Sequence, residues 1–353
     1  MIDRAFWQGR RVLLTGHTGF KGAWLSLWLE QLGAEVHGLA LPPDSEPALF
    51  PALAPFAKQR SELADLRDPA RVASIVREAR PQIVIHMAAQ PLVRRSYREP
   101  IETYATNAMG TVHLLDALRH SDELQAVLVI TTDKVYRNDG RRRPFTESDP
   151  LGGHDPYAAS KVAAEFVTAS FAASFFASRG VAVATARAGN VIGGGDWAHD
   201  RLIPDFWRAM QAGKPLLLRH PQATRPWQHV LEPLGGYLVY VEKLAAGGDI
   251  PCALNFGPLP GITMTVAEVA DAMSKAMRSP LGWRTDECTG PQPKEASDLA
   301  LDPGLASATL GWQPRLDAAQ ALTWTAEWYR AFNDGGAARA LCLAQLKRYE
   351  AMA

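Results

Sequence analysis

Val12-Leu13-Leu14-Thr15-Gly16-His17-Thr18-Gly19-Phe20-Lys21-Gly22 is the stretch on which the fold turns. An apolar run, Val12–Leu14, ends at Thr15 and passes directly into Gly16, Gly19 and Gly22, spaced GxxGxxG. Trp24, Leu25, Trp28, Leu29 and Leu32 then recur at helical spacing, and Gly33 supplies a stop. A glycine loop between a strand and a helix lets backbone approach a pyrophosphate, while the helix N-terminus adds free N–H groups and a favourable dipole. Without a ligand the same stretch is an ordinary glycine-rich turn, so the reading depends on the rest of the chain. His17 and Lys21 are polar insertions that either reach phosphate or face solvent.

Working outward, strand-like and helical segments alternate. Glu35–Leu41 reads as a second strand, Pro69–Arg80 as a helix, Ile83–His86 as a third strand and Tyr104–Leu118 as a helix. Ala126–Thr131 is another apolar strand, Tyr157–Ser178 a long Ala-rich helix, and Val181–Ala186 a further strand. Strands that are continuously apolar and separated by helices belong to a parallel sheet covered on both faces. The expectation is an α/β, Rossmann-type doubly wound domain over residues 1–190, with about 225–250 returning to it. Gly193-Gly194-Gly195, several prolines and scattered tryptophans mark a change of texture. Leu231–Ala245 is a helix within the returning stretch, and residues 191–224 and 251–353 are assigned to a smaller α/β substrate-binding lobe, with helices over Val266–Met277 and Leu316–Phe332.

Composition excludes several classes. With 353 residues, 47% apolar and 21% charged, the chain can bury a core, and roughly 150 residues per domain allows two units. Lys+Arg and Asp+Glu are 37 each, which leaves no electrostatic footprint for nucleic acid or a polybasic membrane contact. No apolar run reaches the ~18 residues of a spanning helix. MIDRAFWQGRR lacks a secretory signal core, so a soluble cytoplasmic protein is expected. Cys252, Cys288 and Cys342 are too far apart for a CxxC site, and His154, His199 and His229 lack zinc spacing, so no metal is expected. Trp24 and Trp28 read as core, and His86 as a buried, hydrogen-bonded histidine.

Tyr157-Ala-Ala-Ser160-Lys161 puts Tyr157 and Lys161 on one helix face. A cation nearby can lower the phenol from its usual ~10, making Tyr157 a base for an alcohol proton during hydride transfer. Thr132, at the end of a strand, can hydrogen-bond the same hydroxyl. YxxxK alone is common; downstream of a GxxGxxG turn it is specific. No acidic residue stands ~20 positions beyond the loop for a ribose, and no arginine for a 2′-phosphate, so the loop does not separate NAD from NADP.

Across nearly its whole length the chain resembles the extended short-chain dehydrogenases/reductases, through TGHTGFKG at 15–22, Asp65-Leu66, HMAAQ at 86–90, Asn107, Thr132 and YAASK. The resemblance implies NAD as cofactor, with NADP left open. It places Gly16, His17, Gly19, Phe20, Lys21, Gly22 and Asn107 with Tyr157 and Lys161 at the cofactor, Asp65 and Leu66 at the adenine, and Ala88, Ala89 and Gln90 along the groove.

Thr131-Thr132-Asp133-Lys134-Val135-Tyr136 narrows the reading further. In the nucleotide-sugar 4,6-dehydratases of this family an acid pair, or a related pair, follows the catalytic Thr. Oxidation at sugar carbon 4 acidifies the proton on carbon 5, which a base must remove while an acid protonates the leaving hydroxyl on carbon 6. Asp133 is the natural acid. Lys134 is either a neutral base or a charged stabiliser of the developing enolate. The Asp-Lys pair, HTGFKGAWL, RAGNVIGGGDWAHDRLIPD and RPWQHVLEPLGGYL resemble the CDP-glucose 4,6-dehydratase subgroup. A dehydratase or epimerase on a dTDP-, UDP- or GDP-hexose is the neighbouring reading, and a non-catalytic dinucleotide-binding protein a more distant one. By the same resemblance Arg225 matches the diphosphate arginine and Asn190 a substrate-contacting asparagine. Arg201, Lys214 and Arg219 are further phosphate candidates, and Trp227 is read as packing. The resemblance also implies a homodimer, or a tetramer, paired through Tyr104–Leu118 and the helix carrying Tyr157, and a role in deoxyhexose supply for surface polysaccharide such as O-antigen lipopolysaccharide.

Overall fold

Apolar side chains pointing to alternate faces along each strand make a sheet that must be covered twice. The computed structural model, which describes residues 2–138, 140, 143–258, 264–286 and 299–352, has such a sheet at its centre. Its strands are β1 (Arg11–Thr15), β2 (Glu35–Ala40), β3 (Gln59–Leu63), β4 (Ile83–His86), β5 (Ala126–Ile130), β6 (Ala182–Ala188) and β7 (Ala253–Phe256). They lie in the order β7-β6-β5-β4-β1-β2-β3, every neighbouring pair parallel. Strand order reverses between β1 and β4, and the crevice beyond the strands' C-terminal ends at such a point is where this architecture binds ligands.

Leu13, Val84, Val127 and Val129 face α2 (Pro69–Ala79) and α3 (Gly110–Leu118) in one buried cluster. Val12, Leu14, Ile85 and Leu128 face the other way, into a larger core holding α1 (Phe20–Gln31) and α6 (Leu231–Ala246). α1 is buried continuously from Gly22 to Leu29. Trp24 and Trp28 are core, as expected, and their indole N–H groups donate to the Gly194 carbonyl and to Glu350 Oε1, both at 2.9 Å. His86 is buried between Thr15 Oγ1 (2.6 Å) and Thr111 Oγ1 (3.0 Å), and burial lowers its pKa to about 3.

Several elements depart from the sequence reading. β3 is an edge strand of mixed polarity, so it carries no apolar run to find. Helices α5 (Leu202–Gln211) and α9 (Ala338–Glu350) also went unread; between them in sequence lie α7 (Val266–Ala276) and α8 (Ala318–Asn333), close to expectation. The helix ending at Leu118 contains a π-turn at Ala105–Met109, and α4 (Pro156–Phe171) runs on into another at Ala172–Phe176. The return to the sheet extends past residue 250, because β7 pairs with β6 as the outermost strand. Cys252 and Cys342 are free thiols, while Cys288 lies outside the described residues. No described helix is long and apolar enough to cross a membrane.

Glu232, fully buried in the first turn of α6, fastens the C-terminal segment. Its carboxyl accepts from the backbone N–H of Arg315 and Leu316 and from the Tyr349 hydroxyl. Burial raises its pKa from 4.5 to about 7. A carboxyl whose folded pKa is raised favours folding when protonated, and that contribution is lost as pH rises from its unfolded value through about 7. The loss amounts to about 3 kcal/mol. Glu232→Gln is therefore expected to flatten the fall in melting temperature between roughly pH 5 and 8. Parallel wild-type and variant melting curves across that window would refute this role.

Candidate active site

The crevice over the switch point is a groove of about 560 Å³. One wall is the glycine loop. Gly16 has φ +76°, and a Cβ there would stand 2.7 Å from the Ala88 amide nitrogen; one at Gly22 would stand 2.1 Å from the Gly16 carbonyl oxygen. The loop is thus pressed against the β4 segment and its own helix, and the N-terminus of α1 opens into the groove with Gly19, Phe20, Lys21 and Gly22. That cradle fits a dinucleotide pyrophosphate, which needs close backbone and free N–H groups rather than side chains. Asp65, Leu66, Ala88, Ala89 and Gln90 line the same groove.

Two residues expected at the cofactor sit elsewhere. His17 is wholly buried below the loop, with Nε2 2.6 Å from Ser61 Oγ and its ring edge-on to Phe50. The ring fills the space left by Gly38, where a Cβ would come within 2.6 Å of it. Burial lowers its pKa to about 4, so it is a neutral packing group and neither a phosphate cation nor a solvated one. Asn107, in the π-turn, is buried beneath the groove. It accepts from the Gln90 N–H (2.8 Å) and donates to the Gln90 carbonyl (3.1 Å) and Ser160 Oγ (2.8 Å). It therefore ties the β4 loop to α4.

At the groove's centre, Asp155 caps α4 by accepting from the Ala158 N–H, and Pro156 occupies its first turn. This fixes Tyr157 at the helix start and Lys161 one turn on. Lys161 Nζ donates to the Ile130 carbonyl at 2.7 Å, tying the helix to the last residue of β5. Burial takes Lys161 down to about 8 against the pull of Glu165. Burial likewise pushes Tyr157 up to about 12, opposed by its hydrogen bond to Thr132; Asp133 adds to the rise and Arg201 resists it. The phenol is held high by its surroundings, rather than lowered as the YxxxK spacing suggests.

Thr132 begins a tight 3₁₀ turn, Asp133–Val135. Its hydroxyl donates to Asp133 Oδ1 at 3.0 Å, and Lys134 Nζ stands 3.4 Å from the same oxygen. Asp133 is 1% exposed, and its Oδ2 is buried with no protein partner beside Gly189, where a Cβ would lie 3.0 Å from it. An unpartnered buried carboxyl oxygen is costly unless a ligand hydroxyl completes it. Lys21 also reaches this end, with Nζ 3.3 Å from the Tyr237 hydroxyl. Burial, with repulsion from Arg201 and Lys161, brings it to about 7.

The opposite wall carries Asn190, Arg201, Arg219 and Arg225, all lining the groove. Arg201 pairs with Asp196 (3.0 Å) and Arg219 with Asp200 (3.3 Å), while buried Arg225 donates to the Thr224 carbonyl (2.8 Å). Lys214 is exposed beyond α5 and does not line it. Trp227 packs with its N–H on the Met264 carbonyl and also borders the groove. Sequence reasoning missed Arg94, which lines the groove from the β4 side and lies 3.9 Å from Asp200. Asp196 and His220 were missed as well. Among the described residues no cluster of three metal-ligating side chains occurs.

A doubly wound sheet with a glycine loop, a YxxxK helix and an arginine-lined second wall define an extended short-chain dehydrogenase/reductase. The chain belongs to the GDP-mannose 4,6 dehydratase family, which it matches over residues 13–325. It is 45% identical over 341 residues to the CDP-glucose 4,6-dehydratase of Salmonella typhimurium, covering 95% of this chain and 94% of that one. A dTDP-glucose 4,6-dehydratase of Xanthomonas campestris is 26% identical over 339 residues, 90% of this chain and 92% of its own. Among solved structures, the dTDP-glucose 4,6-dehydratase of Streptomyces venezuelae, determined with NAD, superposes with a TM-score of 0.78 at 24% identity, covering 92% of this chain and 98% of that one. The UDP-glucose 4-epimerase of Thermotoga maritima gives 0.79 at 22% identity, covering 91% and 99%. These two likenesses concern the fold.

Proposed function

We propose that this protein is an NAD-dependent CDP-D-glucose 4,6-dehydratase, a hydro-lyase that converts CDP-D-glucose to CDP-4-dehydro-6-deoxy-D-glucose and water. The observation that carries the reading is the 45% identity to a CDP-glucose 4,6-dehydratase across 95% of the chain. The groove supports it with an acid and a lysine beside the tyrosine.

The glycine loop with Asp65, Leu66, Ala88, Ala89 and Gln90 would hold NAD, which would supply the acceptor for the hydride from sugar carbon 4 and return it to carbon 6. Tyr157 takes the proton of the 4-hydroxyl, with Thr132 holding the phenol and Lys161 supplying positive charge. Asp133 gives a proton to the departing 6-hydroxyl, so the carbon 6–oxygen bond breaks and water leaves. Lys134 takes the carbon 5 proton, or stays charged and stabilises the enolate while another group takes that proton; in either role it acts after oxidation. Arg201, Arg219 and Arg225, joined by Arg94, hold the diphosphate, for which planar guanidinium forks are suited. Asn190 faces the sugar.

The holoenzyme is tested with CDP-, dTDP-, UDP- and GDP-hexoses, following the alkaline absorbance of the 4-keto product. CDP-glucose is expected to have the highest kcat/KM, and deuterium placed on carbon 4 is expected in the product methyl group. A higher kcat/KM for another nucleotide would overturn the assignment.

We further assign a homodimer and a place in the cytoplasm, supplying deoxyhexose for surface polysaccharide. Ile101 is 86% exposed and Phe166 61%, on adjoining segments Pro100–Tyr104 and α4. Large apolar side chains left exposed on adjoining helical segments suit a self-complementary helical contact. Ile101→Asp combined with Phe166→Asp is expected to yield monomers in sedimentation. An unchanged mass would refute this face.

A further inference from the structure

Beneath the catalytic turn lies an ion pair that no step above uses. Glu165 is on α4, one turn beyond Lys161, and Arg187 is on β6; both are about 5% exposed. Glu165 Oε1 accepts from Arg187 Nε at 2.9 Å and from Thr131 Oγ1, and Oε2 accepts from Arg187 Nη2 and Thr185 Oγ1, both at 2.8 Å. Arg187 Nη1 donates to the Tyr136 hydroxyl at 2.8 Å, and that hydroxyl donates to Asn255 Oδ1 on β7 at 2.7 Å. The Tyr136 ring is stacked on Phe145, with centroids 5.0 Å apart.

The places where this network meets the chain are informative. Thr131 immediately precedes Thr132, and Tyr136 immediately follows the Asp133–Val135 turn. The segment bearing Thr132, Asp133 and Lys134 is thus tethered at both ends to one buried pair. The acid of that pair stands on the helix that carries Tyr157 and Lys161. A buried ion pair is a poor source of net stability, since desolvation offsets the Coulomb attraction and well-packed apolar residues do as well. Fully satisfied, it fixes geometry, because any shift of the turn leaves a buried donor or acceptor unmade.

We propose that Glu165 and Arg187, acting through Thr131 and Tyr136, are positioning residues that set the acid–lysine turn in register with the tyrosine helix. The two parts of the reaction are thereby held to one sugar pose. This rests on the dehydratase reading, since only a reaction with an elimination after oxidation needs both sets of groups aligned.

Tyr136→Phe tests it, because the ring can keep its stack on Phe145 while the turn loses its bond to Arg187. In single turnovers of the holoenzyme with CDP-glucose, the appearance of reduced nicotinamide reports oxidation and its disappearance reports hydride return after elimination. The variant is expected to oxidise within about twofold of wild type but to eliminate about tenfold more slowly, so that reduced nicotinamide accumulates. Thr131→Val, which cuts the tether at the other end of the turn and leaves the Glu165 charge beside Lys161, is expected to shift the same ratio in the same direction. The ratio is taken within folded molecules, so a loss of stability does not move it. Equal slowing of both steps, or a ratio within about twofold of wild type in both variants, would overturn the proposal. Were wild type to turn over a different nucleotide hexose, the substrate assignment would fall while the ratio measured on that sugar still decided this inference.

Discussion

Lys134→Ala is expected to leave sugar oxidation running while dehydration stops. The side chain is on the turn after Thr132, with its ammonium 3.4 Å from Asp133 Oδ1, and it makes no described contact with Tyr157 or Lys161. Removing it takes nothing from the groups that accept the 4-hydroxyl proton. It does remove the ammonium that pairs with Asp133 and the candidate partner of the carbon 5 proton. General acid–base or enolate-stabilising groups contribute about a hundredfold to ten-thousandfold. A loss in kcat of about a thousandfold, or roughly 4 kcal/mol of barrier, is therefore expected. Rapid mixing with CDP-glucose should show the reduced nicotinamide forming at near wild-type rate and persisting. Lys134→Arg separates the two roles, because guanidinium keeps the charge but does not give up its proton. Recovery in the arginine variant identifies an electrostatic role, and continued loss identifies a base. Equal loss of oxidation and elimination in Lys134→Ala would remove the residue from the second half altogether.

What was legible in the sequence was whatever physics writes locally. The β1–loop–α1 unit, the apolar strands and Tyr157 with Lys161 all depend on spacing within one segment, and the structure has them as elements of one sheet and one groove. What was not legible depends on contacts across segments. His17, among loop glycines, read as either reaching phosphate or facing solvent; its burial depends on Gly38, on a strand distant in sequence. β3 was silent because an edge strand need not be apolar on both faces. Arg94 follows a segment read as cofactor wall, and only the folded chain brings that wall into one groove with Arg201, Arg219 and Arg225. Asn107 matched a family position, yet its work as a clamp between the β4 loop and α4 needs the π-turn that presents it. The Glu165–Arg187 pair joins two elements whose separate sequences are unremarked helix and strand.

Tyr157→Phe is expected to abolish the reaction at its first step. Only the phenol oxygen is lost, so substrate affinity should hold, while reduced nicotinamide should not form. Loss of the general base places the decrease in the oxidation rate at about a thousandfold or more. The pH dependence of the wild-type oxidation step follows from the same groups. Burial holds the phenol up at about 12. Tyr157 acts as a base only when ionised, so the rate should climb as pH rises and the phenolate fraction grows. Lys161 is brought by burial to about 8, so above that pH it loses the charge that favours a phenolate beside it. Oxidation should therefore rise with pH up to about 8 and level off above it, where the growing phenolate fraction is offset by the loss of the lysine's charge. In Lys161→Met the levelling near pH 8 should give way to a continued climb, and the profile at and below that pH should lie lower, because the phenol then ionises without a neighbouring cation. If wild-type oxidation kept climbing well beyond pH 8, the lysine's charge would have no part in it. If Tyr157→Phe still reduced its nicotinamide at a comparable rate, the proton would be leaving the sugar by another path.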